Sequence, residues 1–340
     1  MFGVAEDVRP AMRQARADNQ AFVLATLVAV DGGGPRPRGT QMVFAPGVLA
    51  GYFSGGCVEG DVAGHAWACL EDARPRTLVY GDGSPWPDIH LLCGARIEIF
   101  LERVPQDDAA LAVLLAAETE RRPVIYVSDG VTRRCGADVT SQPAAAVVRR
   151  YDPVPRLVIV GGDPTALAIA ELGVKSGFET TLIRPKGPET PPPIAGLAYR
   201  RGEPGEALLA IGLDPWTSVA VATHDLETDR AALKVALPST ASYVGLLGAR
   251  RRLEGRLAEL QMEGMPEAAV ARLHAPIGLD IGGKAPFEVA VSVIGEITAL
   301  RYARVKGSTS TTSPAEAGDA PAGRRSRASE TAKTLTREES

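Results

Sequence analysis

The spacing of apolar residues predicts different architectures in the two halves of the chain. In the first half, short apolar or alternating runs predict β-strands, because side chains of a strand alternate between its two faces. The predicted strands are 21–30, 40–45, 48–53, 76–80, 96–103, 122–128 and 144–151. The predicted helices are 7–19, 58–72 and 108–120. We therefore expect a mixed α/β domain over residues 1–152, closed by the last two strands.

The second half alternates strands and helices, as a parallel sheet requires. A short apolar strand, a glycine loop, a helix and a second strand follow one another from residue 156 to 183, which is a βαβ unit. Later elements are predicted at 218–222, 226–237, 242–247 and, opened by a proline, 286–305. This order predicts a Rossmann-like, doubly wound parallel sheet over 153–306. Residues 307–340 are rich in Ser, Thr and Ala and predict a disordered tail.

Composition narrows the classes of function. The 340 residues are 45% hydrophobic and carry 37 Lys+Arg against 41 Asp+Glu, a net charge of −4, which argues against a nucleic-acid binder. We expect no membrane span, because no run of about 18 apolar residues occurs. We also expect no signal peptide, because residues 1–10 include acidic side chains and no apolar core. The expected location is therefore the cytoplasm, with reduced thiols.

Two of the four cysteines lie in glycine-rich turns. Cys57 stands in SGGCVEG, at the start of a predicted helix, where free amides favour anions and lower the pKa of a thiol. Gly55 and Gly56 allow another molecule to approach the backbone. Two interpretations remain open: a ligand-contacting thiolate, or a small buried thiol in a tight turn. Cys93, at the end of a long loop, is its natural companion.

A second glycine-rich loop, GGGPRPRG, carries Arg36 and Arg38 between two prolines. Guanidinium groups pair well with phosphate or carboxylate. The alternative is an ordinary solvated loop. The other two cysteines, Cys69 and Cys135, are expected to be structural.

The glycine loop of the second domain, Gly161-Gly162-Asp163, resembles a dinucleotide-binding loop in position only. Asp163 replaces the second glycine of that pattern, and its carboxylate would repel a pyrophosphate. Arg184 stands near the place of the acidic residue expected after the second strand. It could meet a ribose phosphate, or it could mark the loss of dinucleotide binding.

Polar residues also follow a later strand of the second domain. His224 is placed for acid–base chemistry, and Asp225 could instead serve as a helix cap. The segment LHAPIGLDIG, with His274 and Asp280, is interpreted as a structural turn that docks the domains.

These motifs together resemble the XdhC/CoxI family of xanthine dehydrogenase accessory proteins. The matching segments are GGGPRPRG, SGGCVEG, CysGly at 93–94, LVIVGG, ATHD, YVGLLGARRR, LHAPIGLDIG and APFEVAVSVIGEI. The resemblance implies a chaperone, rather than a catalyst, that binds molybdenum cofactor (molybdopterin or its nucleotide form). It implies a role in sulfuration of the cofactor and in its insertion into an apo molybdenum hydroxylase of the xanthine dehydrogenase family.

The resemblance also assigns residues. Cys57 and Cys93 would bind the metal, Gly55, Gly56 and Glu59 would shape the pocket, and Arg36 and Arg38 would hold the phosphate. The implied cofactor-binding set is completed by Gly161, Gly162, Arg184 and His224. The chain departs from the family pattern at Gly33, where a serine is common, at Ala95, where a second glycine is common, and at Asp163.

Two other functions compete with the carrier. A dehydrogenase using NAD(P) would rest on the βαβ unit and His224, although the altered glycine loop disfavours NAD(P). A protein adaptor would recruit a cysteine desulfurase to the apo-enzyme. A homo-oligomer is expected for any of the three, because most soluble oligomers contain identical subunits.

Overall fold

Three β-sheets and the helices packed on them make up the chain. The computed structural model describes residues 6–309 except 35, 57, 85–90, 92–93, 140–145, 249–254 and 256–257, and gives only the backbone of 304–309. Met1–Ile297 forms one compact unit, which contains all three sheets. Within the described part of the chain, each helix is too short or too polar to cross a membrane.

The first sheet is antiparallel and has five strands in the order β3-β2-β1-β5-β4. Its strands are β1 (Phe22–Asp31), β2 (Gln41–Ala45), β3 (Val48–Gly51), β4 (Arg76–Tyr80) and β5 (Arg96–Val104). The central strand β1 is buried on both faces, which explains its almost wholly apolar sequence. Phe22 and Leu24 join one core cluster, and Val23 and Leu27 join another.

Helices cover both faces of this sheet. The first core cluster contains apolar residues of α1 (Arg9–Ala17) and α3 (Ala109–Thr119), and the second contains apolar residues of α2 (Glu59–Asp72). All three helices lie within about two residues of their predicted bounds.

A separate three-stranded antiparallel sheet follows, with β6 (Val124–Ser128), β7 (Arg133–Gly136) and β8 (Val147–Tyr151) in the order β7-β6-β8. Residues 122–128 and 144–151, predicted as strands that close the first domain, pack on its first core cluster through Val124, Tyr126, Val147 and Tyr151. These strands pair with each other and with β7, which was not predicted, and not with the first sheet.

The third sheet has six parallel strands in the order β11-β10-β9-β12-β13-β14. Its strands are β9 (Arg156–Gly161), β10 (Glu179–Ile183), β11 (Ala198–Arg200), β12 (Thr217–Ala222), β13 (Tyr243–Leu246) and β14 (Leu273–His274). Chain order reverses between β9 and β12, which is the doubly wound arrangement predicted from the sequence. Ligands of such sheets bind at this reversal, beyond the carboxyl ends of the strands.

Helices of the third sheet are α4 (Pro164–Lys175), α5 (Pro204–Ile211), α6 (Leu226–Ala236), α7 (Glu267–Val270) and α8 (Pro286–Thr309). Residues 307–309, expected in the tail, belong to α8. The rest of the predicted disordered tail, 310–340, lies outside the described residues. The short elements β11, α5, α7 and β14 were not predicted.

Candidate functional site

One end of the first sheet brings the predicted N-terminal motifs together. Pairing of Asp31 with Arg96, Met42 with Gly51, and Tyr80 with Ile97 places the ends of β1, β3 and β4 beside the starts of β2 and β5. We call this end the loop edge. The described residues of the GGGPRPRG and SGGCVEG segments, together with Gly94 and Ala95, therefore all belong to it.

The sequence predicts that two cysteines bind the metal. Cys57 and Cys93 lie outside the described residues, so their roles stay predictions. Two residues after Cys93, Ala95 lies beside the GGGPRPRG loop, since a Cβ at Gly32 would lie 3.6 Å from Cα of Ala95.

Glu59, at the start of α2, organises the SGGCVEG loop. Its side chain is completely buried. Oε1 accepts hydrogen bonds from the backbone N–H groups of Phe53 (2.9 Å), Ser54 (2.6 Å) and Gly55 (2.9 Å). Oε2 accepts from the Gly56 N–H (2.8 Å) and from Oγ of Ser54 (2.7 Å). One carboxylate thus satisfies the donors of a whole turn.

This arrangement changes the predicted anion site. The amides of the loop just before α2, from Phe53 to Gly56, already donate to Glu59 and are not available to an external anion. Burial alone would raise the pKa of this carboxyl, but the hydrogen bonds from Ser54 and Phe53 outweigh burial and lower the pKa to about 2. Gly55 and Gly56 have φ of 85° and 132°, a region that favours glycine, and space outside each is open. The glycines are therefore required by the turn.

Arg36 is held in place at the loop edge by an aromatic ring. Its guanidinium lies 4.6 Å from the ring centroid of Tyr52, and Nη1 donates to Oη of Tyr52 (3.0 Å) and to Glu6 (3.0 Å). Nε of Arg36 is buried and has no acceptor among the described residues. A buried donor without an acceptor is unfavourable, so Arg36 is prepared for an additional oxyanion. Arg38, the other predicted arginine, is exposed.

The first turn of α2 adds polar residues that the sequence analysis missed. Asp61 accepts a hydrogen bond from Oη of Tyr80 (2.6 Å), at the end of β4. Burial raises the pKa of the Tyr80 hydroxyl, and the hydrogen bond to Asp61 raises it further. Nε2 of His65 lies 3.7 Å from the same carboxylate. An acidic residue in the first turn of a helix was the available signal.

The remaining thiols fit their predicted structural roles. Cys69 is fully buried in the core, and burial raises the pKa of its thiol. Burial also raises the pKa of Cys135 to about 11. Both are free, and thiols with raised pKa values react slowly. In the part of the chain that the structure describes, His, Cys, Asp and Glu form no group of three or more able to hold a metal ion.

Other residues of the chain occupy the space beside the glycine loop that follows β9. A Cβ at Gly161 would lie 2.1 Å from the carbonyl oxygen of Ala222 on β12, so glycine is required for strand packing. A Cβ at Gly162 would lie 2.4 Å from Nε of Arg184. Arg184 therefore occupies the space over this glycine, and the predicted residues Gly161, Gly162 and Arg184 do come together.

Asp163 is the N-cap of α4, a role the sequence analysis missed. Its Oδ1 accepts from the Ala166 N–H (2.7 Å), and its Oδ2 lies 3.1 Å from Nε2 of His224. His224 is itself 80% exposed. Asp225 caps α6 by accepting a hydrogen bond from the Thr228 N–H (3.0 Å), which is the helix-cap role offered by one of the two interpretations.

The predicted site residues of the second half lie at the end of the parallel sheet opposite to Arg121. Arg121, which follows α3, donates to Asp214 (2.6 Å), Glu179 (2.7 Å) and the Val154 carbonyl (3.0 Å). These partners precede or begin β12, β10 and β9, so this contact reaches the amino edge of the parallel sheet. His224 and Arg184 lie at the opposite edge, about 20 Å away along six-residue strands.

The LHAPIGLDIG segment holds helix α8 against the parallel sheet. His274 ends β14, and its Nδ1 lies 2.9 Å from Oε1 of Glu296 on α8. Oε2 of Glu296 accepts from Oη of Tyr243 (2.5 Å) and from the Gly278 N–H (2.9 Å). The segment thus fastens α8 to the edge of the parallel sheet, and its expected role in docking the two domains stays a prediction.

Comparisons with known proteins identify a family for both halves of the chain. A family model described as the XdhC and CoxI family matches residues 15–81, and one described as the XdhC Rossmann domain matches 157–297. The molybdenum cofactor insertion chaperone PaoD of Escherichia coli K12 is 29% identical over 293 residues, which are 85% of this chain and 86% of PaoD.

A protein of Bacillus subtilis 168 described as a probable xanthine dehydrogenase subunit is 26% identical over 328 residues, and the match covers 84% of this chain and 94% of that protein. A crystal structure described as a xanthine dehydrogenase of Bacillus halodurans shares the fold, with a TM-score of 0.70, 24% identity and coverage of 87% and 96%. With both of its characteristic regions matched in order, the chain belongs to the XdhC and CoxI family.

Proposed function

We propose that this protein binds molybdenum cofactor at the loop edge and delivers it to an apo molybdenum hydroxylase of the xanthine dehydrogenase family. The observation that carries the proposal is Arg36, whose buried Nε has no acceptor among the described side chains. Likeness to PaoD, a molybdenum cofactor insertion chaperone, supports the same cargo. A cysteine desulfurase that sulfurates the bound cofactor, and assembly into a homo-oligomer, are parts of the proposal.

The chemistry of the cargo fits the residues of the loop edge. The cofactor is an anionic pterin dithiolene that carries a phosphate, and Arg36 supplies a fixed fork of donors for that phosphate. The thiolates of Cys57 and Cys93 are soft ligands suited to a sulfur-rich metal centre. Two thiolates hold the metal without enclosing it, so the cargo can leave.

Glu59 has an indirect role in this proposal. Its carboxylate is buried under the turn, with every oxygen engaged by Ser54, Gly55 and their neighbours. Glu59 therefore positions the loop that carries Cys57 and does not bind the cargo.

A dehydrogenase using NAD(P) gains no support, because Asp163 caps the helix whose N-terminus would bind the pyrophosphate.

Replacement of the cysteines tests the cargo. Wild-type protein loaded anaerobically with molybdenum cofactor is expected to retain pterin and molybdenum after desalting. Cys57→Ala and Cys93→Ala are expected to retain less than about one tenth of the wild-type amount of cofactor. Loss of a residue that only supports a metal ligand already lowers metal affinity by about tenfold or more. Pterin fluorescence after oxidation and elemental analysis of molybdenum measure both components.

The half-buried thiol of Cys135 offers a matched control, and Cys135→Ala is expected to retain the cofactor as the wild type does. Wild-type protein that retains neither pterin nor molybdenum would contradict the proposed function. Retention by both cysteine variants at the wild-type level would contradict only the assignment of Cys57 and Cys93. Transfer to an apo hydroxylase, followed as recovered hydroxylase activity, tests delivery.

Arg36→Lys tests the phosphate contact separately. Lysine keeps the positive charge but loses the planar fork and the stacking on Tyr52. We expect cofactor retention to fall about tenfold, as the loss of a charge-assisted hydrogen bond predicts. Arg74→Lys, at an exposed position beyond the far end of α2, is the control. Equal retention by the two variants would remove Arg36 from the site.

A further inference from the structure

The carboxyl edge of the parallel sheet holds Arg184 in a slot between two glycine backbones. A Cβ at Gly162 would lie 2.4 Å from Nε of Arg184, and a Cβ at Gly187 would lie 2.5 Å from its Cδ. Gly187 is itself buried. Any other residue at either position would displace the arginine side chain, so the two glycines leave the space that Arg184 occupies.

The slot presents a guanidinium without a counterion. Within the ranges that the structure describes, no hydrogen-bond acceptor or carboxylate pairs with the Arg184 side chain. The nearby acids have other partners, since Asp163 caps α4 and faces His224, while Asp225 caps α6. Lys186, 91% exposed, has only a distant contact of 3.9 Å with Asp225. The available charge in the slot is therefore positive.

The position of the slot favours a ligand. Arg184 follows β10, and His224 follows β12, so both flank the reversal of strand order between β9 and β12. Open parallel sheets bind their ligands at this reversal. The guanidinium fork matches the oxygens of a phosphate group.

The geometry also limits the size of the anion. A pyrophosphate is normally bound by free amides at the N-terminus of the first helix. Here Asp163 takes the Ala166 amide at 2.7 Å, and Pro164 removes a further donor. The Asp163 carboxylate would repel a second phosphate placed there. A single phosphate on Arg184 avoids this contact.

We propose that this slot binds the phosphate of a monoester, held by Arg184, and that it excludes dinucleotides. The slot lies at the end of the sheet opposite to the contacts of Arg121 with Asp214 and Glu179. The proposal does not depend on the carrier function. The phosphate could belong to a free mononucleotide or to molybdenum cofactor.

Calorimetric titration of the full chain tests the slot with adenosine 5′-monophosphate, inorganic phosphate and NAD⁺ as probes. The monophosphate is expected to bind with a Kd of about 0.1–1 mM, the range of a small charged ligand. Arg184→Gln is expected to bind it at least about tenfold more weakly, since a charge-assisted pair is lost. Arg201→Gln, which removes a half-exposed arginine paired with Glu189, is expected to match the wild type.

A second variant distinguishes a lost phosphate contact from a fold disturbed by Arg184→Gln. Asp163→Asn keeps a good helix cap but removes the negative charge, so affinity for the monophosphate is expected to rise several-fold. Undetectable binding by the wild type at about 10 mM monophosphate, equal affinity in Arg184→Gln, or tighter binding of NAD⁺ than of the monophosphate would each overturn the proposal.

Competition then identifies the source of the phosphate. If saturating monophosphate prevents loading of molybdenum cofactor, the cofactor phosphate uses the slot, and its assignment to Arg36 is wrong. If both bind together, the slot serves a free mononucleotide. Both results support the site, and only the titrations above decide whether it exists.

Discussion

Glu59→Gln is expected to destabilise the protein by about 3 kcal/mol, because a neutral amide cannot replace a buried carboxylate that accepts several hydrogen bonds. The NH2 group of the glutamine would face backbone N–H groups, which are also donors, so no hydrogen bond would form there. Since Oε1 and Oε2 both accept from the turn at Ser54–Gly56, either orientation of the amide leaves donors unsatisfied. Denaturant unfolding followed by circular dichroism measures the loss.

The pH dependence of this effect has a definite sign. The folded-state pKa of Glu59 is about 2, below the roughly 4.3 of an unfolded glutamate, so the folded protein binds fewer protons. The stability that Glu59 contributes is therefore complete above pH 5 and is lost as the pH falls toward 2. The difference between wild type and Glu59→Gln is expected to shrink between pH 6 and pH 3.

Glu71→Gln is the matched control, because it makes the same change at an exposed position of the same helix. Its stability is expected to stay within about 0.5 kcal/mol of the wild type. A Glu59→Gln variant as stable as this control, or a deficit unchanged from pH 6 to pH 3, would contradict the organising role of Glu59.

The sequence predicted the long elements because their stabilisation is regular. Strands such as β1 and β9 are apolar along their length, and helices such as α4 begin at a proline and carry periodic apolar residues. The missed strands β7, β11 and β14 have four, three and two residues. Their pairing depends on neighbours distant in sequence, which no local pattern records.

The candidate site was predictable in its motifs and less so in its contacts. The cap at Asp163 could have been recognised, because an aspartate followed by proline at a strand–helix boundary is a helix start. The stacking of Arg36 on Tyr52 joins two loops and could not be seen. The carboxylate of Glu59 explains the glycines at 55 and 56 only when the folded turn is known.

Arg133→Met is expected to cost about 3–5 kcal/mol, the range for breaking a buried ion pair. Glu102 on β5 is completely buried, and the Arg133 side chain is 6% exposed, with Nε 2.8 Å from Oε2 of Glu102. Oη of Tyr126 donates to the same carboxylate (3.1 Å), as does Oγ of Ser128 (2.5 Å). The pair thus joins the first sheet to the three-stranded sheet, and removal of the arginine leaves a buried charge.

The pH response of Arg133→Met distinguishes a lost charge partner from lost packing. Burial already raises the pKa of Glu102 against the opposing effect of Arg133, and the substitution would raise it further. A carboxyl with a raised folded-state pKa stabilises the fold at low pH and loses that contribution as the pH rises through its pKa. The deficit of Arg133→Met, measured by denaturant unfolding, is therefore expected to be larger at pH 8 than at pH 5.

Two further variants complete the test of this pair. Glu102→Gln combined with Arg133→Met is expected to recover part of the lost stability, because no charge is then buried. Arg134→Met, at the neighbouring exposed position on β7, is expected to change stability by less than about 1 kcal/mol. A double variant less stable than Arg133→Met alone would mean that Arg133 acts through packing and its bonds to backbone carbonyls, and not through the charge of Glu102.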